Sequence, residues 1–217
     1  PEWQHLVYMG KWKEAYQVLE STCDFPEFTG RICPAPCEKS CVLKLSADEP
    51  VTIRENEVSI AERAFLEGYI KVHHPERNGK KVAVIGSGPA GLTAANRLNR
   101  KGYLVTVFEK NEMAGALLRY GIPNFKLAKN IVERRVNLMR EEGVIFKTGT
   151  QIDKLPEGFD AYCIAIGAEV PRDLPIEGRN LKGIHFAMDY LSQQNRLLEG
   201  IEVASGKLIK KKKKKVL

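Results

Sequence analysis

No run of apolar residues in the sequence approaches the roughly 20 that a bilayer-spanning helix needs, which excludes a helical membrane protein. No signal-peptide pattern is visible either, so the expected compartment is the cytoplasm. Methionine is missing from the first position; the chain opens on Pro1, and a preceding segment is expected. Excess positive charge is scarce outside one place. Of the net charge of +7, six charges come from Lys210–Lys215, leaving the remainder close to balance. That stretch has no aromatic side chain on which bases could stack, so it reads as a self-repelling, disordered tail and not as a nucleic-acid site. Cysteine is too sparse for a disulfide framework, with five, an odd number, in 217 residues. Three of them fall within nine residues, a crowding that suggests metal ligation in a reducing setting. An apolar fraction of 43% at this length leaves room for one large or two small globular domains.

What is present is organised around residues 79–110, GKKVAVIGSGPAGLTAANRLNRKGYLVTVFEK. Val82–Ile85 is a short all-apolar run of the kind shown by a parallel strand covered on both faces. Gly86-Ser87-Gly88-Pro89-Ala90-Gly91 follows as G-x-G-x-x-G. Leu92, Ala95 and Leu98 then recur at helical spacing, Gly102 stops the helix, and a second strand, Leu104–Phe108, ends in Glu109. Gly86 permits the tight strand-to-helix turn, Gly88 lets a diphosphate approach bare backbone, and Gly91 lets the helix pack close to the strand. The start of the helix, at Pro89 and Ala90, directs unpaired amides and a positive dipole at the phosphates. Glu109 is placed to accept a hydrogen bond from a ribose 2′-hydroxyl, which favours FAD or NAD over NADP. A glycine fingerprint alone is often an ordinary turn; strand, helix, strand and terminal acid in register make it a dinucleotide site.

Cys33, Cys37 and Cys41 form C-P-A-P-C-E-K-S-C within Phe25–Leu45, where Pro26, Gly30, Pro34 and Pro36 rule out a long regular element. The spacing lets thiolates converge on one or two metal centres. A zinc site usually shows paired C-x₂₋₄-C units or histidines, and no second such unit is present here. Two four-ligand iron–sulfur clusters need more cysteines than the chain holds. Spacing therefore leaves iron–sulfur and zinc both open. Cys23, apart from the trio, reads as a bystander, and Cys163, inside an apolar run, as a buried inert thiol. Glu57 shares a helical stripe with Ile53, Ile60, Ala61 and Ala64. A carboxylate there is costly unless paired or metal-bound, so it is a candidate ligand against the plainer reading of a first-turn Glu favoured by the helix dipole.

Trp12, Ala15, Tyr16 and Leu19 predict an amphipathic helix, and another starts near Ile53. The polar, turn-rich residues 73–79 read as a linker. After Glu109, residues 114–127 (AGALLRYGIPNFKL) form a loop suited to run along a ligand. A helix follows with Leu127, Ile131, Val132, Leu138 and Met139 inward and Arg134, Arg135 and Arg140 as its solvated side. Val144–Thr148 and Ala161–Ile166, the latter ending at Gly167, predict further strands, and Phe186–Leu198 a last helix. The expected fold class is α/β, a Rossmann-like parallel-sheet dinucleotide-binding domain preceded by a small, mainly α-helical domain. Their expected bounds are 1–72 for the helical domain, 73–79 for the linker and 80–205 for the sheet domain, with a basic tail over 206–217.

Five segments carry a family resemblance: Pro26–Leu43, Lys81–Leu98, Val105–Lys110, Gly115–Leu127 and Pro171–Leu191. Together they resemble the small (beta) subunit of glutamate synthase, or the equivalent part of fused glutamate synthases, from Pro1 to about Gly206. The resemblance implies an NAD(P)H-dependent flavoprotein oxidoreductase. FAD would contact Gly86, Gly88, Pro89, Ala90, Gly91, Glu109, Lys110, Gly115, Ala116, Leu117 and Gly167. It also implies 4Fe-4S clusters, with Cys33, Cys37 and Glu57 serving one and Cys41 another. In such enzymes hydride passes from NAD(P)H to FAD, and single electrons pass through clusters to a large (alpha) partner subunit or fused domain. There glutamate is made from glutamine and 2-oxoglutarate. The sequence departs from the family in four ways. The family's other cluster cysteines lie before the position of Pro1, and its nicotinamide-binding repeat would begin near Gly206, where KLIKKKKKKVL stands. Ala116 replaces a common second glycine, and Ile166 a common threonine. The expectation is a piece of the enzyme, inactive alone. Related readings are modules of ferredoxin–NADP transhydrogenases and dihydropyrimidine dehydrogenase; a reading of another class is a non-catalytic, zinc-stapled remnant.

Overall fold

The computed structural model describes residues 2–203 and 208–210. Six helices come first: α1 (Glu2–Tyr8), α2 (Trp12–Thr22), α3 (Pro26–Ile32), the single turns α4 (Pro36–Lys39) and α5 (Lys44–Ala47), and α6 (Ile53–Leu66). Ala15, Tyr16 and Leu19 of α2, Ile60 and Ala64 of α6, and Trp3 of α1 close one apolar cluster, as the helical spacing demands. Helix α1 carries no stripe long enough to be legible in the sequence, and it was not expected.

The second half alternates strand and helix: β1 (Lys81–Ile85), α7 (Pro89–Arg100), β2 (Leu104–Phe108), α8 (Leu117–Tyr120), α9 (Lys129–Glu141), β3 (Ile145–Lys147), β4 (Ala161–Ile164) and α10 (Ala187–Leu198). All pairings are parallel, in the order β3-β2-β1-β4. The pleat sorts the side chains. Val84, Val105 and Val107 face Leu92 and Ala95 of α7 and Val132, Val136 and Met139 of α9. Ala83, Ile85 and Phe108 face Ile152 and Phe159 on the other side. The fold is the expected one, a helical region followed by a Rossmann-like parallel sheet flanked by helices.

The junction between these regions differs from the sequence reading. Arg135, expected in solvent, is buried. It lies three residues after Val132 and directly before Val136, on the inward stripe itself, and its Nε donates to the equally buried Glu27 Oε1 at 2.5 Å. Burial of a guanidinium is tolerable here because its counter-charge is buried with it. Its neighbour Arg134 grips Glu62 with two hydrogen bonds of 2.8 and 2.7 Å and lies 3.6 Å above the Phe65 ring. Arg97 pairs with Asp24 at 2.8 Å, and Arg100 with Glu20 at 2.7 Å. Across this seam the acids come from α2, α3, α6 and the turn after α2, and the arginines from α7 and α9. Phe25 and Phe28 complete it, for both belong to the sheet's apolar core.

Residues 73–79 are pinned to the base of the sheet. Arg77 Nη1 donates to Asn99 Oδ1 and the Tyr103 carbonyl at 2.7 and 2.9 Å, and Nη2 to the Glu142 carbonyl at 2.8 Å. Among the described residues no helix is long and apolar enough to cross a membrane. The tail expected over 206–217 lies outside the described residues except at 208–210, where the Ile209 peptide exchanges hydrogen bonds of 3.0 and 2.7 Å with the Gln193 amide.

Candidate functional site

From β1 the chain moves outward to β2 and β3, then returns to place β4 on the other side of β1. The crevice beyond the carboxyl ends of β1 and β4 is therefore a topological switch point, where open α/β sheets receive ligands. Gly86 sits at that point with φ +103°, and its amide continues the β1–β2 ladder to the Phe108 carbonyl at 2.8 Å. A Cβ on Gly86 would fall 2.4 Å from the Ala165 carbonyl oxygen, and one on Gly91 only 1.9 Å from the Gly86 carbonyl oxygen. Both positions are glycine because strand, loop and helix touch there. Gly88 differs. It caps α7 in extended backbone, and a Cβ there would meet only the Ala116 methyl, at 3.7 Å. The space beside it is a cradle that a side chain would fill, which is the property a diphosphate site requires. Pro89 opens α7 where its missing N–H is no loss, and the first-turn amides of α7, including that of Ala90, stay free for an anion.

Glu109 leaves the end of β2 for this same crevice and is buried, 3% exposed. Its Oε2 accepts from both the amide (3.1 Å) and the hydroxyl of Ser87. Its Oε1 accepts from the Asn111 amide nitrogen and from Asn111 Nδ2, at 2.9 and 2.6 Å. The Gly115 amide donates to Ser87 Oγ at 2.9 Å, which ties the loop after β2 to the glycine turn. Gly115 has φ +124°, and Ala116 adopts φ +43° with a side chain, a strained conformation opposite Gly88. Leu117 is half exposed at the start of α8, Lys110 pairs with Glu169 near the surface, and Gly167 has φ +72° with open space beside it. The structure thus gathers Gly86–Gly91, Glu109, Gly115 and Ala116 at one crevice, with Lys110 and Gly167 in the flanking loops and Leu117 at the start of α8.

Sequence reasoning missed Ser87, Asn111 and the buried cations behind the loop. Arg119 is fully buried, donating to the Ala114 carbonyl at 2.7 Å and pairing with Glu133 and Glu199. Lys129 Nζ donates to the carbonyls of Leu118 and Ile122 at 3.2 and 2.5 Å, and burial pulls its pKa down to about 8. Arg119 lies in a run otherwise apolar, and Lys129 opens α9; such residues read as surface until a tertiary partner is known.

The cysteines are arranged differently. Cys33 caps α3, Cys37 lies in α4 and Cys41 in the turn after it, with Cys33 and Cys41 partly buried and Cys37 exposed. All five cysteines are unbridged. Among the described residues no three His, Cys, Asp or Glu side chains stand close enough together to hold a metal ion. Glu57 accepts from the Thr29 hydroxyl at 3.4 Å, and burial pushes its carboxyl above the usual range while that hydrogen bond works against the shift. Cys23 Sγ lies 3.4 Å from the same hydroxyl, so the supposed bystander is the thiol linked to Glu57 through a shared hydrogen-bond partner.

Comparison with known proteins follows this division of the molecule. Residues 80–209 match the family model described as pyridine nucleotide-disulphide oxidoreductase, and residues 1–69 the one described as dihydropyrimidine dehydrogenase domain II, 4Fe-4S cluster. The glutamate synthase (NADPH) small chain of Bacillus subtilis is 54% identical over 88% of this chain and 40% of its own length. That of Mycobacterium tuberculosis (strain CDC 1551 / Oshkosh) is 49% identical over 94% of this chain and 43% of its own. The glutamate synthase (NADH) of Schizosaccharomyces pombe is 46% identical over 99% of this chain and 11% of its own. The chain spans about two fifths of the length of the small chains, and it is similar to them over nearly all of its own. With the first family model covering more than half of it, the chain belongs to the pyridine nucleotide-disulphide oxidoreductase family.

Proposed function

We propose that this chain is the FAD-carrying part of an electron-input module of the glutamate synthase type. The observation that carries the proposal is the open cradle beside Gly88 at the switch point of the sheet, with Glu109 at the neighbouring strand end. The residues fit the cofactor. Gly86, Gly88, Pro89, Ala90 and Gly91 would hold the diphosphate, Glu109 the adenosine ribose, and Lys110, Gly115, Ala116, Leu117 and Gly167 the rest of the molecule. Bound there, FAD would supply the means to take a hydride from NAD(P)H and release its electrons singly. The chain's own task is to fix the cofactor's position and keep its diphosphate on backbone amides.

The proposed division is a helical unit over 1–72, a linker over 73–79 and a dinucleotide unit over 80–205; the bounds of the two family matches support it. Cys33, Cys37, Cys41 and Glu57 are proposed as part of a 4Fe-4S ligand set. In this structure they do not gather into one, so no electron route through a cluster is derived. The match of residues 1–69 supports iron–sulfur over zinc, and its description favours, as a second reading, the related module of dihydropyrimidine dehydrogenase. The proposed partner is a large glutamate synthase subunit or fused domain, as the small-chain relatives' names suggest.

Absorption spectroscopy with metal analysis of the purified chain tests this reading. One FAD retained per chain is the expected result. Bound zinc without any uptake of flavin would overturn it in favour of a stapled, non-catalytic protein.

A further inference from the structure

The Glu109 carboxylate already has four donors, two on each oxygen, which fills the acceptor sites a carboxylate offers. A ribose hydroxyl can bind it only by replacing one of them. The two sides are not equivalent. Ser87 is fully buried, holds Oε2 with both its amide and its hydroxyl, and receives the Gly115 amide on the same hydroxyl oxygen. Removing the Ser87 hydroxyl would leave Oε2 on the Ser87 backbone amide alone and release the loop after β2 with the same change. Asn111 is only partly buried, and its side-chain Oδ1 accepts from Arg196 Nη2 at 2.9 Å, so its amide can leave Glu109 and remain tethered to α10.

Resting on the FAD reading above, we infer that Ser87 is a positioning residue for adenosine-ribose recognition. It holds Glu109 Oε2 in place through ligand binding, while the Asn111 side-chain amide is the donor that yields Oε1 to the ribose. Ser87 touches no ligand atom in this account. It acts by keeping one carboxylate oxygen anchored, so that the other meets the ribose hydroxyl without a search over rotamers.

The test is calorimetric titration of the purified chain with FAD, ADP and 2′-deoxy-ADP. The native chain is expected to prefer ADP over the deoxy analogue by about ten-fold or more, the range of a hydrogen bond to a charged group. In Ser87→Ala that ratio falls below about three-fold, whereas a merely structural role would weaken both ligands and leave the ratio intact. Ser87→Cys keeps the size of the side chain and its buried place but donates weakly, so its ratio should fall between the two. A native ratio in either variant overturns the inference. Asn111→Ala should bind ADP at least as tightly as the native chain, and a ten-fold loss would overturn its role as the yielding donor. A native chain that binds FAD but ignores the 2′-hydroxyl overturns the inference and leaves the FAD reading standing; one that binds none of the three overturns both.

Discussion

The two halves of the chain build their candidate sites in opposite ways. The sheet region makes its site from backbone, with three glycines, a helix start and one carboxylate drawn from 24 consecutive residues, Gly86–Glu109. The helical region offers side chains, three thiols and a carboxylate on four separate pieces of α3, α4, the following turn and α6, and among the described residues these do not meet. A site of backbone is finished once the local fold is finished. A site of converging side chains is finished only when every ligand has arrived, whatever the quality of the fold around it. The two regions nevertheless share a core, because Phe25 and Phe28 enter the apolar cluster of the sheet and Glu27 pairs with Arg135.

That shared core gives the largest expected effect. Glu27→Leu leaves the Arg135 guanidinium buried without its counter-charge and should cost about 3–5 kcal/mol in urea unfolding. Combined with Arg135→Met, which removes the stranded charge, most of the loss should return. A single variant as stable as the native chain would mean that the two regions are not joined through this pair.

Next in size is the contrast between Gly91, pressed against backbone, and Gly88, beside open space. Gly91→Ala places a methyl 1.9 Å from a backbone oxygen and should cost about 1–3 kcal/mol, read as a lower urea midpoint. The sheet region would then be shown to depend on close backbone approach. An unchanged midpoint would remove that distinction between the regions.

An effect of similar size sharpens the difference between Arg135, paired with an acid, and Lys129, bonded to carbonyls. Burial lowers the folded-state pKa of Lys129 to about 8 against an ordinary 10.5. Between those values the unfolded chain binds more protons, so the Lys129 contribution to stability is complete above about 10.5 and is lost as pH falls through about 8. Unfolding free energies of the native chain minus those of Lys129→Met should rise over that window by about 1–3 kcal/mol. A flat difference would show that Lys129 keeps its proton when buried.

Much of this was legible in the sequence, and the boundary of legibility has a physical cause. The run from β1 to Glu109 announces itself because strand, turn and helix each leave a local mark, and the short apolar strands and glycine stops were found close to where they lie. Arg135 was misread although its position between Val132, Val136 and Met139 placed it on the buried stripe. Its charge argues for solvent unless a buried acid is known, and Glu27 is 108 residues away. Ser87 was passed over for a related reason. A serine inside a glycine loop carries no signal of its own, and its role comes from Glu109 and Gly115, which only the folded chain brings to it.

The central claim, that the open space beside Gly88 receives the FAD diphosphate, is tested most directly by FAD titration of Gly88→Val alongside its urea unfolding. The valine side chain enters a space where its Cβ meets only the Ala116 methyl, so stability should stay within about 0.5 kcal/mol of the native value. FAD binding should be lost by 100-fold or more, about 2.7 kcal/mol, since the diphosphate can no longer reach the backbone. Native FAD affinity in a fully folded Gly88→Val chain would contradict the account.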